Sequence, residues 1–580
     1  MPDSIPDHLS DWTIAEELIR LRTLTTAKRH EAAFFSNMSS DAKHPAEVVS
    51  SQVDELLPSR RMWCRPSRAQ RIFLDKPAMI RDSITRSVRA QVARDGLHRC
   101  DWGRRLMNFC DAVRARASGR GNLEIPTVKL ISKDKAKNTF RTIASYDQLE
   151  DRVLLRLTNR YLTSMFDDDL LPCAYAFRAK PSLTRTAATR GLRDFRRKHL
   201  DGDVFAAECD IQKFFDVVNH AVARRALQQA VERLERRGRR VNADAVAIVD
   251  RYLGSYTSHG AQQIAEGRLH MEGRKGVVDR VDPATMATIY PHGVEQRMGL
   301  PQGGALSPLL ANLILDAADR AVVEGSDREE LFYARFCDDM ILVHTDAGRC
   351  RAAFDRYRST LADLKLPAHH PVDVERYDAS FFNTKSKNPY KWGAAGGRLD
   401  VVPWVSFLGY HIKYDGKLRV RHESIVRQEH KQIELIGNVL RLVTKRPDDV
   451  HMSAKEIVAR TRLKLIAMSI GLNRLRVAGA PRVQPCWADA FCLLDMNLHS
   501  AVQLQSLDRS RERQLRRLIR QLREVKLLAD GAPTEPDTMV RRTRFFGAPY
   551  SYYGAIGPSE RKDIRVPLLD AYVSLSRHAP

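Results

Sequence analysis

Three aspartates stand in sequence contexts that favour metal chemistry. Asp210 follows the apolar run DVFAAEC, and Asp338 and Asp339 are adjacent within LFYARFCDDMILVH. An isolated Asp-Asp pair is usually a solvated turn, but acidic groups among apolar neighbours are costly unless cations balance them. Carboxylate oxygens suit Mg²⁺, and two ions about 3.5–4 Å apart, bridged by carboxylates from adjacent strands, promote phosphoryl transfer. The aspartates therefore predict a site for two Mg²⁺ ions.

The patterns around these aspartates predict the elements that position them. DVFAAEC reads as a buried strand, and LFYARFCDDMILVH as a β-hairpin with carboxylates at its tip. Upstream, EIPTVKLIS and TFRTIAS favour two strands joined by the charged turn KDKAKN, followed by the helical pattern YDQLEDRVLLRLTNRYLTSMF. Residues 221–253 favour a long basic helical stretch, and VVPWVSFLGYHI favours a strand pair.

Helical patterns flank this strand-rich region on both sides. We divide the chain into a helical N-terminal region (1–120), a mixed region (121–415) and a helical C-terminal extension (416–580). In the extension, RSRERQLRRLIRQLREVKLL places Leu515, Leu518, Ile519 and Leu522 on one helix face. Much of the remaining helix surface is predicted to consist of Arg511, Arg513, Arg516, Arg517, Arg520 and Arg523. These arginines suit either a phosphate backbone or a solvated face.

Composition favours a polyanionic partner. The chain of 580 residues carries 95 Lys and Arg against 71 Asp and Glu, a formal net charge of +24, and such a surplus attracts nucleic acid. Nine cysteines without a C-x-x-C pair argue against a structural zinc site and suit a reducing compartment. No apolar run reaches the 18 residues that suggest a membrane span. We therefore expect a cytoplasmic protein that does not enter a membrane.

Five short motifs together resemble the reverse transcriptase family. In chain order they are AYAFR, CDIQKFFDVVNH, GLPQGGALSPLLANLIL, ARFCDDMILV and SFLGYHI. They resemble the family's Y-G-F-R element, first palm motif D-I-x-x-F-F-D, G-x-P-Q-G-x-x-x-S-P motif, Y-x-D-D motif and F-L-G primer grip. The resemblance implies a right-hand polymerase of α+β class, with fingers and an antiparallel palm sheet over 121–415 and a mostly helical thumb and extension after it. It implies RNA-directed DNA synthesis from dNTPs.

The resemblance also implies roles for individual residues. Asp210 and Asp338 would be the principal metal ligands, with Asp339 as the second hairpin carboxylate and the Ile211 carbonyl completing the set. Phe215 would be a steric gate that excludes the 2′-hydroxyl of an rNTP; read alone, it suits a core aromatic. The residues implied to contact the dNTP are Gln302, Gly303, Lys133, Arg141 and Lys385, with Lys387 as the alternative lysine. Phe407, Leu408 and Gly409 would form the primer grip.

Several features indicate which reverse transcriptases within the family this chain resembles. Phe336 stands where the family has tyrosine, and the stretches before the second palm motif and before SFLGY are expanded. No residues resemble an HNH nuclease, and no V-T-G tripeptide follows the palm. The helical extension resembles bacterial unknown-group, abortive-infection and defence-associated reverse transcriptases. That likeness implies antiphage defence, an associated noncoding RNA and a homo-oligomer.

Three alternative functions stay open from the sequence. The chain could be an RNA-binding scaffold or intron maturase, or an RNA polymerase on the same palm, which Phe215 argues against. It could also be a template-independent or protein-primed DNA polymerase. For priming, the tail RFFGAPYSYYG offers the hydroxyls of Tyr550, Tyr552 and Tyr553, although such aromatics more often pack a loop.

Overall fold

The computed structural model divides the chain into two compact units. The first contains Met1–Glu17, Arg104–Leu408 and Lys413–Gly416, and the second contains Leu18–Gly103, Gly409–Ile412 and Lys417–Pro580. The predicted divisions after residues 120 and 415 stay a prediction. The residues that the structure describes are 8–36, 51–67, 76–134, 139–258, 271–272, 284, 287, 297–327, 329–445, 447–470, 486–495, 497–525, 527 and 548–551.

Helices occur along the whole described chain. They are α1 (Asp11–Ser36), α2 (Ser51–Glu55), α3 (Lys76–Arg94), α4 (Asp101–Ala117), α5 (Leu149–Phe166), α6 (Arg185–Lys198), α7 (Phe214–Val217), α8 (His220–Arg236), α9 (Ala243–Gly254), α10 (Ser307–Val323), α11 (Ala347–Asp363), α12 (Ala379–Asn383), α13 (His422–Lys445), α14 (Ala454–Ile470), α15 (Trp487–Ala490) and α16 (Leu498–Glu524). None of the described helices is long and apolar enough to cross a membrane.

Strands are confined to the middle of the described chain. They are β1 (Thr127–Asp134), β2 (Thr139–Ser145), β3 (Phe205–Cys209), β4 (Met271–Glu272), β5 (Leu331–Phe336), β6 (Asp339–His344), β7 (Lys387–Trp392), β8 (Val401–Val402), β9 (Trp404–Phe407), β10 (Tyr410–Lys413) and β11 (Leu418–Val420). This distribution confirms the predicted α+β class, with mostly helical regions before residue 120 and after residue 416.

The sheet that carries the aspartates has the strand order β5-β6-β3-β7-β8. β3 pairs antiparallel with both β6 and β7, and β5 and β6 form an antiparallel hairpin. Helix α11 packs against β3, β6 and β7, and α10 packs against β5 and α11. Met340, Ile341, Leu342 and Val343 are consecutive and all buried, which is the pattern of a strand covered on both faces. The predicted buried strand and hairpin are confirmed.

A second sheet precedes this one in the chain. β1 and β2 pair antiparallel from Thr127↔Ser145 to Asp134↔Thr139, and β4 pairs parallel with β1. The predicted strand–turn–strand unit is therefore confirmed, with residues 135–138 of its turn outside the described part. The helix predicted after it is α5.

The helical stretch predicted over 221–253 consists of two helices rather than one. Helix α8 ends at Arg236, and Gly238 follows with a φ of 76°, a left-handed conformation that glycine adopts at helix ends. Helix α9 then begins after Asn242, whose side chain accepts a hydrogen bond from the backbone N–H of Asp244. The capping residues, rather than the apolar periodicity, set the boundary.

In the second unit, α13, α14 and α16 pack around one apolar core. From α16 this core includes Leu515, Leu518 and Leu522, as the sequence predicts. Arg511, however, was assigned to the polar face and is only 1% exposed, so this assignment is wrong. It lies one turn from Asp508, and the attraction of Asp508 partly offsets the burial that lowers the pKa of Arg511.

A buried ion pair joins α10 to the β5–β6 hairpin in the first unit. Arg335 of β5 donates to both carboxylate oxygens of Asp319, at 2.8 and 2.6 Å, and both side chains are fully buried. Tyr333 donates to the same carboxylate at 2.7 Å. The remaining guanidinium nitrogen donates to Asn312 Oδ1 at 3.2 Å and to the carbonyl of Cys337 at 3.0 Å. Arg335 therefore fixes the turn that carries Asp338.

We predict that Arg335→Met lowers the free energy of unfolding by about 3–5 kcal/mol, because it leaves the Asp319 carboxylate buried without its cation. Urea denaturation measures this loss. The double variant Arg335→Met/Asp319→Leu should recover part of it, since both charges are then absent.

Arg349→Met is the matched control for that measurement. Arg349 pairs with Glu330 at 2.7 Å, and its side chain is 66% exposed, so its loss should cost less than about 1 kcal/mol. Equal losses in the Arg335 and Arg349 variants would contradict the importance of the buried pair.

Candidate active site

Asp210 directly follows the central strand β3 and is held by its backbone on one side. Its N–H donates to Ser386 Oγ at 3.1 Å, and its carbonyl accepts from the N–H of His369 at 2.9 Å. The neighbouring Gln212 N–H donates to the carbonyl of Pro367 at 2.8 Å. These bonds fix the backbone from which the carboxylate projects.

The Ile211 carbonyl is available on the other side of this extended segment. Ile211 forms an isolated antiparallel bridge with Ala368, and the two hydrogen bonds of that bridge belong to Asp210 and Gln212. Because carbonyls alternate in direction along an extended chain, the Ile211 carbonyl points away from Ala368. This direction is compatible with the role that the family resemblance implies.

The hairpin turn brings Asp338 next to Asp210. β3 and β6 are paired as far as Cys209↔Met340, and β5 and β6 as far as Phe336↔Asp339, so the turn consists of Cys337 and Asp338. Cys337 has a φ of 64°, a left-handed conformation that is uncommon outside glycine. Asp338 is half-buried, whereas Asp339 begins β6 and is exposed.

The electrostatics of Asp338 reflect its proximity to Asp210. Burial raises the pKa of Asp338, and the negative charge of Asp210 raises it further, while Lys385 opposes both effects. In the described part of the chain, however, no group of three or more His, Cys, Asp or Glu side chains is arranged to hold a metal ion. The structure thus places Asp210 and Asp338 together, and Asp339 beside them on the exposed end of β6.

Lys385 provides a positive charge at this pair. Its Nζ lies 2.8 Å from Asp210 Oδ2, with a side chain that is 63% exposed, and His369 Nε2 lies 4.0 Å from the same oxygen. Lys387, the alternative lysine, is instead buried and pairs with Glu208 at 2.8 Å, where Tyr390 also donates to Glu208 at 2.6 Å. Lys387 therefore stabilises the sheet, and only Lys385 reaches the carboxylates.

Phe215 lies in α7, one turn after Asp210, and is half-buried. Its carbonyl accepts the N–H of Leu300 at 2.6 Å, which holds the GLPQG segment beside it. The inner neighbour Phe214 is buried and packs edge-on against Phe215 at 5.2 Å between ring centroids. Phe214 therefore takes the core role, and Phe215 remains partly accessible.

Gln302 and Gly303 end the GLPQG segment and lie beside the β1–β2 hairpin. The N–H of Ala144 donates to the carbonyl of Gln302 at 2.8 Å. Gly303 is exposed with a φ of 91°, and a Cβ there would lie 3.2 Å from the Ile143 side chain. Ser307 begins α10 with proline in the first turn, a position at which proline suits a helix.

Residue 304 must be glycine for a steric reason that the motif alone does not reveal. A Cβ at this residue would lie 1.9 Å from the Tyr252 hydroxyl. That hydroxyl donates to Ser307 Oγ at 2.6 Å, and Ser307 donates to the carbonyl of Pro301 at 2.7 Å. Helix α9 thereby fixes the loop that carries Gln302.

The remaining predicted residues are described to different extents. Lys133 and Arg141 lie in β1 and β2, and their side chains fall outside the described part. Phe407 is buried at the end of β9, and the next two residues, Leu408 and Gly409, have φ values of 47° and 85°. This sharp turn is where the family resemblance places the primer grip.

Of the three tail tyrosines, Tyr550 lies in the described part of the chain. Tyr550 is 2% exposed, and its hydroxyl accepts hydrogen bonds from Gln428 at 2.7 Å and Gln432 at 3.3 Å. Its backbone N–H donates to Asp508 at 3.0 Å. Tyr552 and Tyr553 lie outside the described residues.

Two supporting residues escaped the sequence reasoning. Arg335 stands in the middle of the apolar run LFYARF, and a charged residue within a buried strand requires a buried partner; that signal was present. His220 is buried, and its Nε2–H donates to the carbonyl of Gly299 at 2.7 Å. Nothing in the sequence around His220 indicates this contact, because Gly299 is 79 residues away.

Comparison with known families finds a match in the middle of the chain. Residues 131–370 match the family model for reverse transcriptase (RNA-dependent DNA polymerase). This segment contains Asp210, Phe215, Gln302 and the Asp338-Asp339 hairpin. The chain therefore contains a reverse transcriptase domain, and this domain implies that the protein is an enzyme with RNA-directed DNA polymerase activity.

Other comparisons give weaker similarities. Telomerase from Candida albicans, in complex with a TWJ fragment of telomeric RNA, has 10% identity and a TM-score of 0.31, over 80% of this chain and 75% of that chain. Apo telomerase from Candida tropicalis has 11% identity and a TM-score of 0.34, over 94% and 88% of the two chains. Similarity at this level carries no argument about this chain. Among curated proteins, no sequence matches it.

We predict that His220 makes folding stability depend on pH. Burial lowers the pKa of His220 from 6.5 to about 4, so between these values the unfolded chain binds more protons than the folded one. Stability is therefore fully present above pH 6.5 and falls as the pH decreases toward 4. His220→Gln, which keeps a donor for Gly299, should lose less stability than the wild type between pH 7 and pH 5.

Thermal unfolding across this pH range measures the difference. His430→Gln is the control, because His430 is exposed on α13 and its replacement should leave the pH profile of the wild type. If the His220 variant also keeps that profile, the buried neutral histidine is not the cause.

Proposed function

We propose that Asp210, Asp338 and Asp339, with the Ile211 carbonyl, hold two Mg²⁺ ions at which this RNA-directed DNA polymerase extends a primer. The observation that carries the proposal is the convergence of Asp210 and Asp338 from adjacent strands. The donors fit: they are hard carboxylate oxygens. Burial raises the pKa of Asp338 and the charge of Asp210 raises it further, and bound cations would offset both effects. When bound, the ions would supply Lewis acidity toward the primer hydroxyl and the triphosphate.

The protein's own residues would orient the nucleotide at these carboxylates. Lys385 contacts Asp210 and is exposed, so we propose that it turns to the triphosphate and protonates the leaving pyrophosphate. Gln302 and Gly303 would contact the nucleotide, since Gly303 lacks a side chain that would keep it away. Lys133 and Arg141 remain proposed triphosphate contacts on the β1–β2 hairpin, which is bonded to Gln302 through Ala144.

Nucleic acid binding is supported by the charge distribution in the second unit. On α16 the exposed arginines are Arg509, Arg513, Arg516, Arg517, Arg520 and Arg523. Their spacing of three or four residues, with one pair adjacent, aligns them along one side of the helix. Glu512 pairs with Arg516 at 3.2 Å, and most of the stripe remains positive. We propose that this stripe contacts phosphates of the bound RNA or of the DNA product.

The proposed biological role is antiphage defence in the cytoplasm. The protein would act as a homo-oligomer together with a dedicated noncoding RNA. The support for this role is the resemblance of the helical extension to defence-associated reverse transcriptases. Sequencing the nucleic acids that co-purify with the protein tests the role: one structured RNA should dominate, whereas intron RNA would favour the maturase alternative. The buried hydroxyl of Tyr550 argues against protein priming from that residue.

We predict that Asp338→Asn abolishes DNA synthesis and leaves the fold intact. Loss of the carboxylate should reduce dNTP incorporation by at least about 1000-fold, the scale of several kcal/mol of metal-ion stabilisation. The melting temperature should stay the same or rise, because the charge that burial and Asp210 disfavour is gone. Incorporation of labelled dNTPs with Mg²⁺ and an RNA template measures the activity.

Asp363→Asn, an exposed aspartate at the end of α11, is the control and should retain full activity. If the wild type makes no more DNA than Asp338→Asn does, the proposal is wrong.

We predict that Phe215→Ala admits ribonucleotides, because the ring no longer fills the space of the 2′-hydroxyl. The preference for dNTP over rNTP, measured as a ratio of kcat/KM values, should fall by about 10-fold or more. Phe215→Tyr keeps the ring and should retain the preference. If Phe215→Ala keeps the preference for dNTP, Phe215 is a core aromatic and not a steric gate.

A further inference from the structure

Phe177, in the AYAFR segment, combines exposure with an uncommon backbone conformation. Its side chain is 51% exposed, and its φ is 58°. The left-handed region is unfavourable for bulky residues, and leaving a large aromatic ring in water forgoes its burial. Such a residue persists when the surrounding structure imposes it, and residues of this kind cluster at functional sites.

The residues on the C-terminal side of Phe177 are fixed by buried hydrogen bonds. The Arg178 guanidinium is almost fully buried and donates to Asp167 Oδ1 at 2.7 Å and to the carbonyls of Leu171 and Ala174 at 2.8 and 2.9 Å. The Asp167 carboxylate also accepts the backbone N–H groups of Ala179 and Lys180, at 3.1 and 3.2 Å. The chain therefore cannot relax on this side.

The residues on the N-terminal side are fixed to the frame of the catalytic hairpin. Tyr175 N–H donates to the carbonyl of Arg335 at 2.8 Å, and Asn312 Nδ2 donates to the carbonyl of Ala176 at 2.8 Å. Asn312 Oδ1 and the Cys337 carbonyl both accept from the Arg335 guanidinium. The backbone leading to Phe177 and the turn carrying Asp338 thus share one buried arginine.

We propose that Phe177 is a stacking platform for an unpaired base of the template strand near the catalytic carboxylates. An exposed ring held rigidly at low entropic cost suits the face of a nucleobase, and aromatic side chains bind unpaired bases in this way. A base within a duplex is already stacked on both faces, so the unpaired template is the strand that fits. The adjacent residues Ala179, Lys180, Pro181 and Ser182 are exposed as well, which leaves room for the strand.

This inference rests on the proposed function, and its test is a binding measurement without metal or dNTP. Fluorescence anisotropy of the full chain compares two ligands: an RNA–DNA duplex with a single-stranded 5′ RNA template overhang, and the same duplex with blunt ends. Phe177→Ala should weaken binding of the overhang ligand by about 5- to 150-fold, the range for the loss of one stacked base. Binding of the blunt duplex should not change, and Phe177→Trp should keep the overhang preference.

Phe177→Gly separates the stacking role from a structural one. Glycine adopts a φ of 58° without strain, so the melting temperature should rise above that of Phe177→Ala while binding of the overhang stays equally weak. Leu399→Ala, another exposed apolar residue of the first unit (59% exposed), is the matched control and should bind both ligands as the wild type does.

Three outcomes are decisive. Equal weakening of both ligands in Phe177→Ala, or no weakening of either, overturns the stacking platform, and the second result would point to docking of a protein instead. If DNA synthesis is present while the overhang preference is absent, only this inference fails. If the preference is present in a chain that makes no DNA, only the proposed function fails.

Discussion

The convergence of two like charges is the constraint around which the first unit is built. Asp210 and Asp338 reach each other because β3 and β6 are paired up to the residues beside them. Burial raises the pKa of Asp338, and the charge of Asp210 raises it further, which disfavours the charged form of Asp338. The backbone must therefore hold the two residues together. On one side Ser386 and His369 hold the Asp210 backbone, and on the other Arg335 holds the turn.

Arg335 carries a large share of this resistance. Its guanidinium is satisfied by Asp319, Asn312 and the Cys337 carbonyl, and Asp319 and Asn312 belong to α10, the helix that begins after the GLPQG segment. One buried cation thus connects the carboxylate hairpin, the helix that follows the GLPQG segment and the segment leading to Phe177. A planar group with donors in several fixed directions suits this task better than an ammonium.

The sequence predicted what apolar periodicity determines and missed what backbone conformation and packing between elements determine. The β5–β6 hairpin, the β1–β2 pair and helix α5 followed from apolar periodicity and turn composition. The break between α8 and α9 and the burial of Arg511 did not, because the first depends on one glycine's backbone conformation and the second on how α16 packs in the second unit. The choice between Lys385 and Lys387 required the sheet register, since residues two apart in an extended segment meet different neighbours.

Lys385 gives the carboxylates a counterion that belongs to the chain itself. Its ammonium and an arriving metal ion would compete for the same Asp210 oxygen, so any group that draws the lysine away strengthens metal binding. By thermodynamic reciprocity, bound metal would then leave the lysine free for that group. A triphosphate has the charge to act as such a group. The site would therefore favour the joint arrival of metal and nucleotide over metal alone, and the idle enzyme would keep a counterion at Asp210 without either.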